Sequence, residues 1–74
     1  SGLADLMVET PEGLWVIDHK SDYVDEPGQA FGAYRTQLAS YAAALAKEGN
    51  PVLGIAINWI RRGEVVLQRL ESRR

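Results

Sequence analysis

The sequence predicts a two-layer α/β domain of element order β-β-α-β-β. Two pairs of apolar segments, each pair joined by a short turn, flank one stretch whose apolar residues recur with a helical period. A long helix between two such hairpins buries its apolar stripe against one face of a sheet. Residues 2–9 form the first expected strand, and their nearly continuous apolar content suggests cover on both faces. Thr10-Pro11-Glu12-Gly13 supplies the fixed and permissive backbone positions of a turn. Residues 14–20 follow as a second strand, antiparallel to the first because the connection is so short.

The polar run 21–29, with Asp22, Asp25, Glu26, Pro27 and Gly28, is expected to be a loop. From Ala30 to Lys47 the residues Phe31, Tyr34, Leu38, Ala42 and Leu45 recur at steps of three and four, which predicts a helix with one apolar stripe. Thr36, Ser40, Ala43 and Lys47 fall on the opposite side. Gly49-Asn50-Pro51 stops the helix, with Gly adopting a left-handed conformation and Pro blocking continuation. Residues 52–60 predict a third strand, Arg61-Arg62-Gly63-Glu64 a tight turn, and residues 65–70 a fourth strand.

Composition narrows the function. The chain has 74 residues, one small domain or a piece of one, and 46% hydrophobic with 24% charged residues is a folded composition. A net charge of −2 and a pI near 5.2 argue against nucleic-acid binding by bulk electrostatics alone. Contact with DNA would need local geometry, a bound cation or another part of a larger protein to offset the repulsion. With no cysteine there is neither a disulfide nor a thiolate metal site, which fits a reducing compartment, and the expected location is cytoplasmic. No apolar run approaches the roughly 20 residues of a bilayer span, so no membrane role is expected.

The chemistry begins with Asp18 and Lys20. Side chains alternate along a strand, so these two share a face, with Leu14 and Val16 behind them. Opposite charges at the end of an apolar strand cost free energy unless they pair or do a job. Asp5, on the neighbouring strand of the expected hairpin, falls within reach of Asp18. Two close carboxylates repel, and a divalent cation relieves the conflict; hard oxygen donors with open positions suit Mg²⁺, with Mn²⁺ as a substitute. Such an ion polarises a phosphate oxygen, and an adjacent lysine offsets charge that builds in the transition state, a combination suited to phosphodiester hydrolysis. The plainer alternative is a solvated salt bridge at a strand end.

The segments Gly2-Leu-Ala-Asp5, Val16-Ile-Asp18-His-Lys20-Ser21-Asp22 and Tyr34-Arg-Thr-Gln37-Leu-Ala-Ser-Tyr41 resemble, in order and spacing, the RecB/AddA-type nuclease domain of the PD-(D/E)xK superfamily. That family shows a Gly-x-x-Asp strand, an Asp-Tyr-Lys-Ser/Thr strand and a Gln-x-x-x-Tyr helix, and the resemblance covers residues 2–60. It implies a partial restriction-endonuclease-like core. Asp5 and Asp18 would be metal ligands, the His19 backbone carbonyl a third ligand, and Lys20 the catalytic lysine. Gln37 and Tyr41 would be the helix motif near the active site and the DNA.

His19 stands where the family usually has Tyr, and its side chain is expected on the face opposite Asp18 and Lys20, in a packing or surface role. Plainer readings also exist for Gln37, as a solvated amide, and for Tyr41, as core packing with its hydroxyl in water. Arg61 and Arg62 are expected to be solvated turn charges, and Asp22, Asp25 and Glu26 a solvated loop.

The family core normally begins with a helix and a strand upstream of the first Asp. This chain starts after them and lacks the metal ligand that the upstream part often supplies, so residues 1–74 are expected to be a fragment of a larger domain or protein, for which weak metal binding or inactivity in isolation is an expected outcome. The implied parent is a helicase–nuclease that processes DNA ends in recombination and repair, with DNA and the helicase portion as partners. A sheet edge left open by missing strands would favour a homodimer. The alternative function is a catalytically silent module of the same fold that binds DNA or a protein partner. The acidic charge and the missing upstream elements favour that alternative; the retained Asp5, Asp18 and Lys20 favour the enzyme.

Overall fold

A computed structural model of the chain describes residues 6–70. Its elements are β1 (Leu6–Thr10), β2 (Gly13–Lys20), α1 (Pro27–Lys47), β3 (Val52–Trp59), a 3₁₀ turn (Ile60–Arg62) and β4 (Glu64–Arg69). The four strands form one mixed sheet in the order β1-β2-β3-β4. β1 pairs antiparallel with β2, and β3 with β4, as two hairpins require. β2 and β3 pair parallel, with Val16 opposite Ile55, Asp18 opposite Ile57 and Lys20 opposite Trp59. Parallel neighbours need a long crossover, and α1 is that crossover.

Sequence chemistry explains each boundary. In the first turn the Thr10 hydroxyl donates to the Gly13 carbonyl at 2.9 Å and accepts from the Gly13 amide at 3.2 Å. The helix begins at Pro27, three residues before its expected start. Proline suits the first helical turn, where its missing N–H removes nothing, and Pro27 is itself buried. At the other end Gly49, at φ 97°, lets the Asn50 amide and side chain both donate to the Leu45 carbonyl. The third strand ends at Trp59 instead of Ile60, because Ile60 opens the 3₁₀ turn that Gly63 closes in a left-handed conformation.

The expected stripe faces the sheet: Phe31, Leu38 and Ala42 are buried, and Tyr34 and Leu45 are half-buried against the same cluster. Val16, Ile55, Ile57 and Trp59 meet them from the sheet and are at most 1% exposed. The expectation that the first strand is covered on both faces does not hold. α1 lies over β3 and β4, so Met7, on the helix side of β1, is 47% exposed. The sheet face away from α1 also has no second layer among the described residues, and Val65 and Leu67 are exposed there.

Candidate functional site

The period of two along β2 divides its side chains. Leu14, Val16, Asp18 and Lys20 face α1, whereas Trp15, Ile17 and His19 face away. The helix-facing side is apolar until its last two members. Asp18 is 3% exposed, and its ladder neighbour on β3 is the fully buried Ile57. An ionised carboxylate there loses its hydration and must recover it from a partner. Lys20 is such a partner: its Nζ lies 3.1 Å from Asp18 Oδ2, and the lysine side chain is only 11% exposed. This is not the solvated strand-end pair of the plainer alternative.

Lys20 has an aromatic neighbour as well. Its Nζ stands 4.3 Å from the centroid of the Tyr34 ring, within cation–π range. Tyr34 leans on Trp59 at a centroid distance of 6.2 Å and an interplanar angle of 59°. Trp59 is the ladder partner of Lys20, so strand pairing and the helix stripe converge on one spot at the C-terminal end of β2. The Trp59 indole Nε1 is buried there without a hydrogen-bond acceptor among the described residues.

The other predicted site residues separate into three groups. Asp5 lies outside the described residues, and so does its expected approach to Asp18. His19 points away from the Asp18–Lys20 pair, as expected, and its Nδ1 accepts from the Asn58 side-chain amide at 3.0 Å. Gln37 is exposed on α1, and Tyr41 is half-buried against the core cluster. Residues three and seven apart on a helix share a side, so Tyr34, Gln37 and Tyr41 form one line along α1. Asp22, Asp25 and Glu26 are exposed, as expected of a solvated loop.

Arg62 is exposed, as expected of a turn charge, and it is also tied to a neighbouring loop. Its Nη1 donates to the Tyr23 hydroxyl at 3.2 Å, the Val24 carbonyl at 3.4 Å and the Asp25 carbonyl at 3.3 Å. Glu64 Oε1 lies 3.7 Å from Nη2. The guanidinium ties the 3₁₀ turn to the loop that joins β2 to α1. The turn position of Arg62 signalled its exposure, but not its hydrogen bonds to a loop 37 to 39 residues away.

As a cation site, the described part supplies one carboxylate at the end of β2, that of Asp18, and its negative charge is already met by Lys20. Among the described residues no group of three or more His, Cys, Asp or Glu side chains gathers. The Asp18 carboxylate is an oxygen donor of the kind that Mg²⁺ takes, and a complete ligand set requires further donors.

Over 45 residues the chain is 42% identical to an ATP-dependent helicase/nuclease protein of Lactiplantibacillus plantarum, one subunit of its enzyme. The match covers 61% of this chain and 4% of that protein, so the chain spans a small part of its relative's length. No family profile and no solved structure matches the chain. No helix among the described residues is long and apolar enough to cross a membrane. The chain is thus similar to a region of a helicase/nuclease protein.

Proposed function

We propose that this chain carries the nuclease centre of a DNA end-processing helicase–nuclease, hydrolysing phosphodiester bonds with Mg²⁺. The observation that carries this reading is the buried Asp18–Lys20 pair at the end of β2. A pair of charges two residues apart, desolvated beside Ile57 and Trp59, is an expensive way to end a strand and a useful way to build a phosphate-handling site. Similarity to a helicase/nuclease protein supports the DNA-processing context.

In this reading Asp18 and Asp5 hold the ion, together with the His19 carbonyl. When bound, the ion supplies Lewis-acid polarisation of a phosphate oxygen. Lys20 donates a hydrogen bond to the attacking water or to a non-bridging phosphate oxygen, and its charge offsets the charge of the transition state. Gln37 and Tyr41, on the same side of α1 as Tyr34, orient the DNA strand.

The test is cleavage of end-labelled linear single- and double-stranded DNA in Mg²⁺, Mn²⁺ and EDTA. Wild type is expected to cut with either metal and not in EDTA. Lys20→Ala is expected to lose activity by about a hundredfold or more when assayed at a temperature where circular dichroism shows the variant still folded. Unchanged cutting by Lys20→Ala would sink the mechanism. The net charge of −2 favours a second reading, a silent module that binds a partner or DNA without cutting. DNA binding that needs no metal and survives Asp18→Asn would support that module.

A further inference from the structure

We propose that the β1 edge of the sheet receives an extended segment of a partner protein as a further strand. That segment fills a cleft beside β1 with an apolar side chain and sets a lysine or arginine, two residues away, against Glu9. This docking is independent of the nuclease reading.

β1 stands at one end of the order β1-β2-β3-β4, so its outer backbone edge pairs with no described strand. Edges that stay single are commonly blunted by lysine, proline or a bulge. β1 has none of these: it reads Leu6-Met7-Val8-Glu9-Thr10, and its register with β2 runs without a break. Beside this edge, on the helix side, α1 packs over β3 and β4 and leaves room in front of β1. The room is a cleft of about 290 Å³ lined by Met7, Glu9, Leu14, Leu45 and Asn50. Leu14 is buried, Leu45 is half-buried, and Met7 is 47% exposed at the rim. The Asn50 side-chain amide donates to the Leu45 carbonyl. Glu9 is the charged residue of the lining; it is exposed and makes no ion pair among the described residues.

Strand alternation joins the edge to the cleft. Met7 and Glu9 are two residues apart, so both side chains lie on the helix side. A strand laid along β1 turns every second side chain to that side, beside Met7 and Glu9 in turn. The first of these neighbours meets leucine and methionine walls and gains by being apolar. The second meets an unpaired carboxylate and gains by being cationic, whereas a like charge there is repelled. Main-chain hydrogen bonds hold the segment, and the two side chains select it. A second copy of the chain fits less well. β1 contains no lysine or arginine, so two copies joined through β1 bring no cation to Glu9.

The chain has one methionine, so a ¹³C-labelled methionine methyl gives a single NMR signal, at the rim of the cleft. The probes are two short capped peptides in which threonine alternates with leucine and either lysine or glutamate. The lysine peptide should shift the Met7 methyl and the β1 amides saturably. It should bind about two- to fivefold more tightly than the glutamate peptide. Glu9→Lys, at an exposed position, should reverse the preference, and Glu9→Gln should abolish it. Equal binding of the two peptides by wild type overturns the proposal, as does a preference that survives Glu9→Lys. The absence of a saturable shift at millimolar peptide also overturns it. A Met7 signal that moves with chain concentration alone, together with a dimer in sedimentation, gives the edge to a second copy and overturns the proposal as well.

Discussion

Asp18 and Lys20 would be a poor choice if stability were the only demand at the end of β2. Desolvating two ions is recovered only in part by their attraction, and apolar residues of similar volume often replace such pairs at no loss. Removing one partner is different, because it leaves the other charge buried with less compensation. Asp18→Asn should therefore destabilise the chain by about 3 kcal/mol. The double variant Asp18→Leu with Lys20→Met should be at least as stable as wild type, with no cleavage. Urea midpoints measured for the single and double variants decide this. A double variant less stable than Asp18→Asn would make the pair a structural fixture and remove the main support for a functional site. The pair's shared face was legible in the sequence from the alternation of strand side chains. Its burial and the ring of Tyr34 above it were not. Tyr34 had a sufficient explanation as a member of the apolar stripe, and only the placement of α1 against β3 brings it over Lys20.

β3 is the element on which the others are assembled, since it pairs with β2 on one side and β4 on the other and packs against α1. Gly54 shows how tightly that is done. On the face away from α1 a Cβ at position 54 would overlap the Trp15 ring and lie 2.7 Å from the Gln68 carbonyl oxygen. Gly54→Ala should destabilise the chain by about 2 kcal/mol through overpacking, and adding Trp15→Val should recover part of it, as read by thermal unfolding. Local chemistry made the hairpins, the helix stripe and the helix stop legible, because each depends on residues close in sequence. Two features depend on distant residues and were not legible. One is the parallel pairing of β2 with β3 across α1. The other is the clamp of Arg62 on residues 23–25, where a turn arginine looks solvated until the loop that it holds is in view. The early start of α1 at Pro27 was obscured for a third reason: Asp25 and Glu26 continue a polar run directly into the first helical turn.

At the scale of the whole molecule, one helix covers part of one side of a four-stranded sheet among the described residues, which leaves a small core there. A domain of this size has only about 3–5 kcal/mol of net stability from such a core. Ligand binding is then a large perturbation. An ion that binds the folded chain and not the unfolded one stabilises by RT ln(1 + [L]/Kd), about 2.7 kcal/mol at a hundredfold excess over Kd. For a domain this small each kcal/mol moves Tm by about 4–8 °C, so saturating Mg²⁺ should raise Tm by roughly 10 °C or more. The rise should vanish in EDTA and in Asp18→Asn. It should be larger in Lys20→Met than in wild type, because the ammonium no longer competes with the ion for the Asp18 carboxylate. Differential scanning fluorimetry across a Mg²⁺ titration measures all three. Equal stabilisation of wild type and Asp18→Asn would place the ion elsewhere on an acidic surface and separate cation binding from the buried pair.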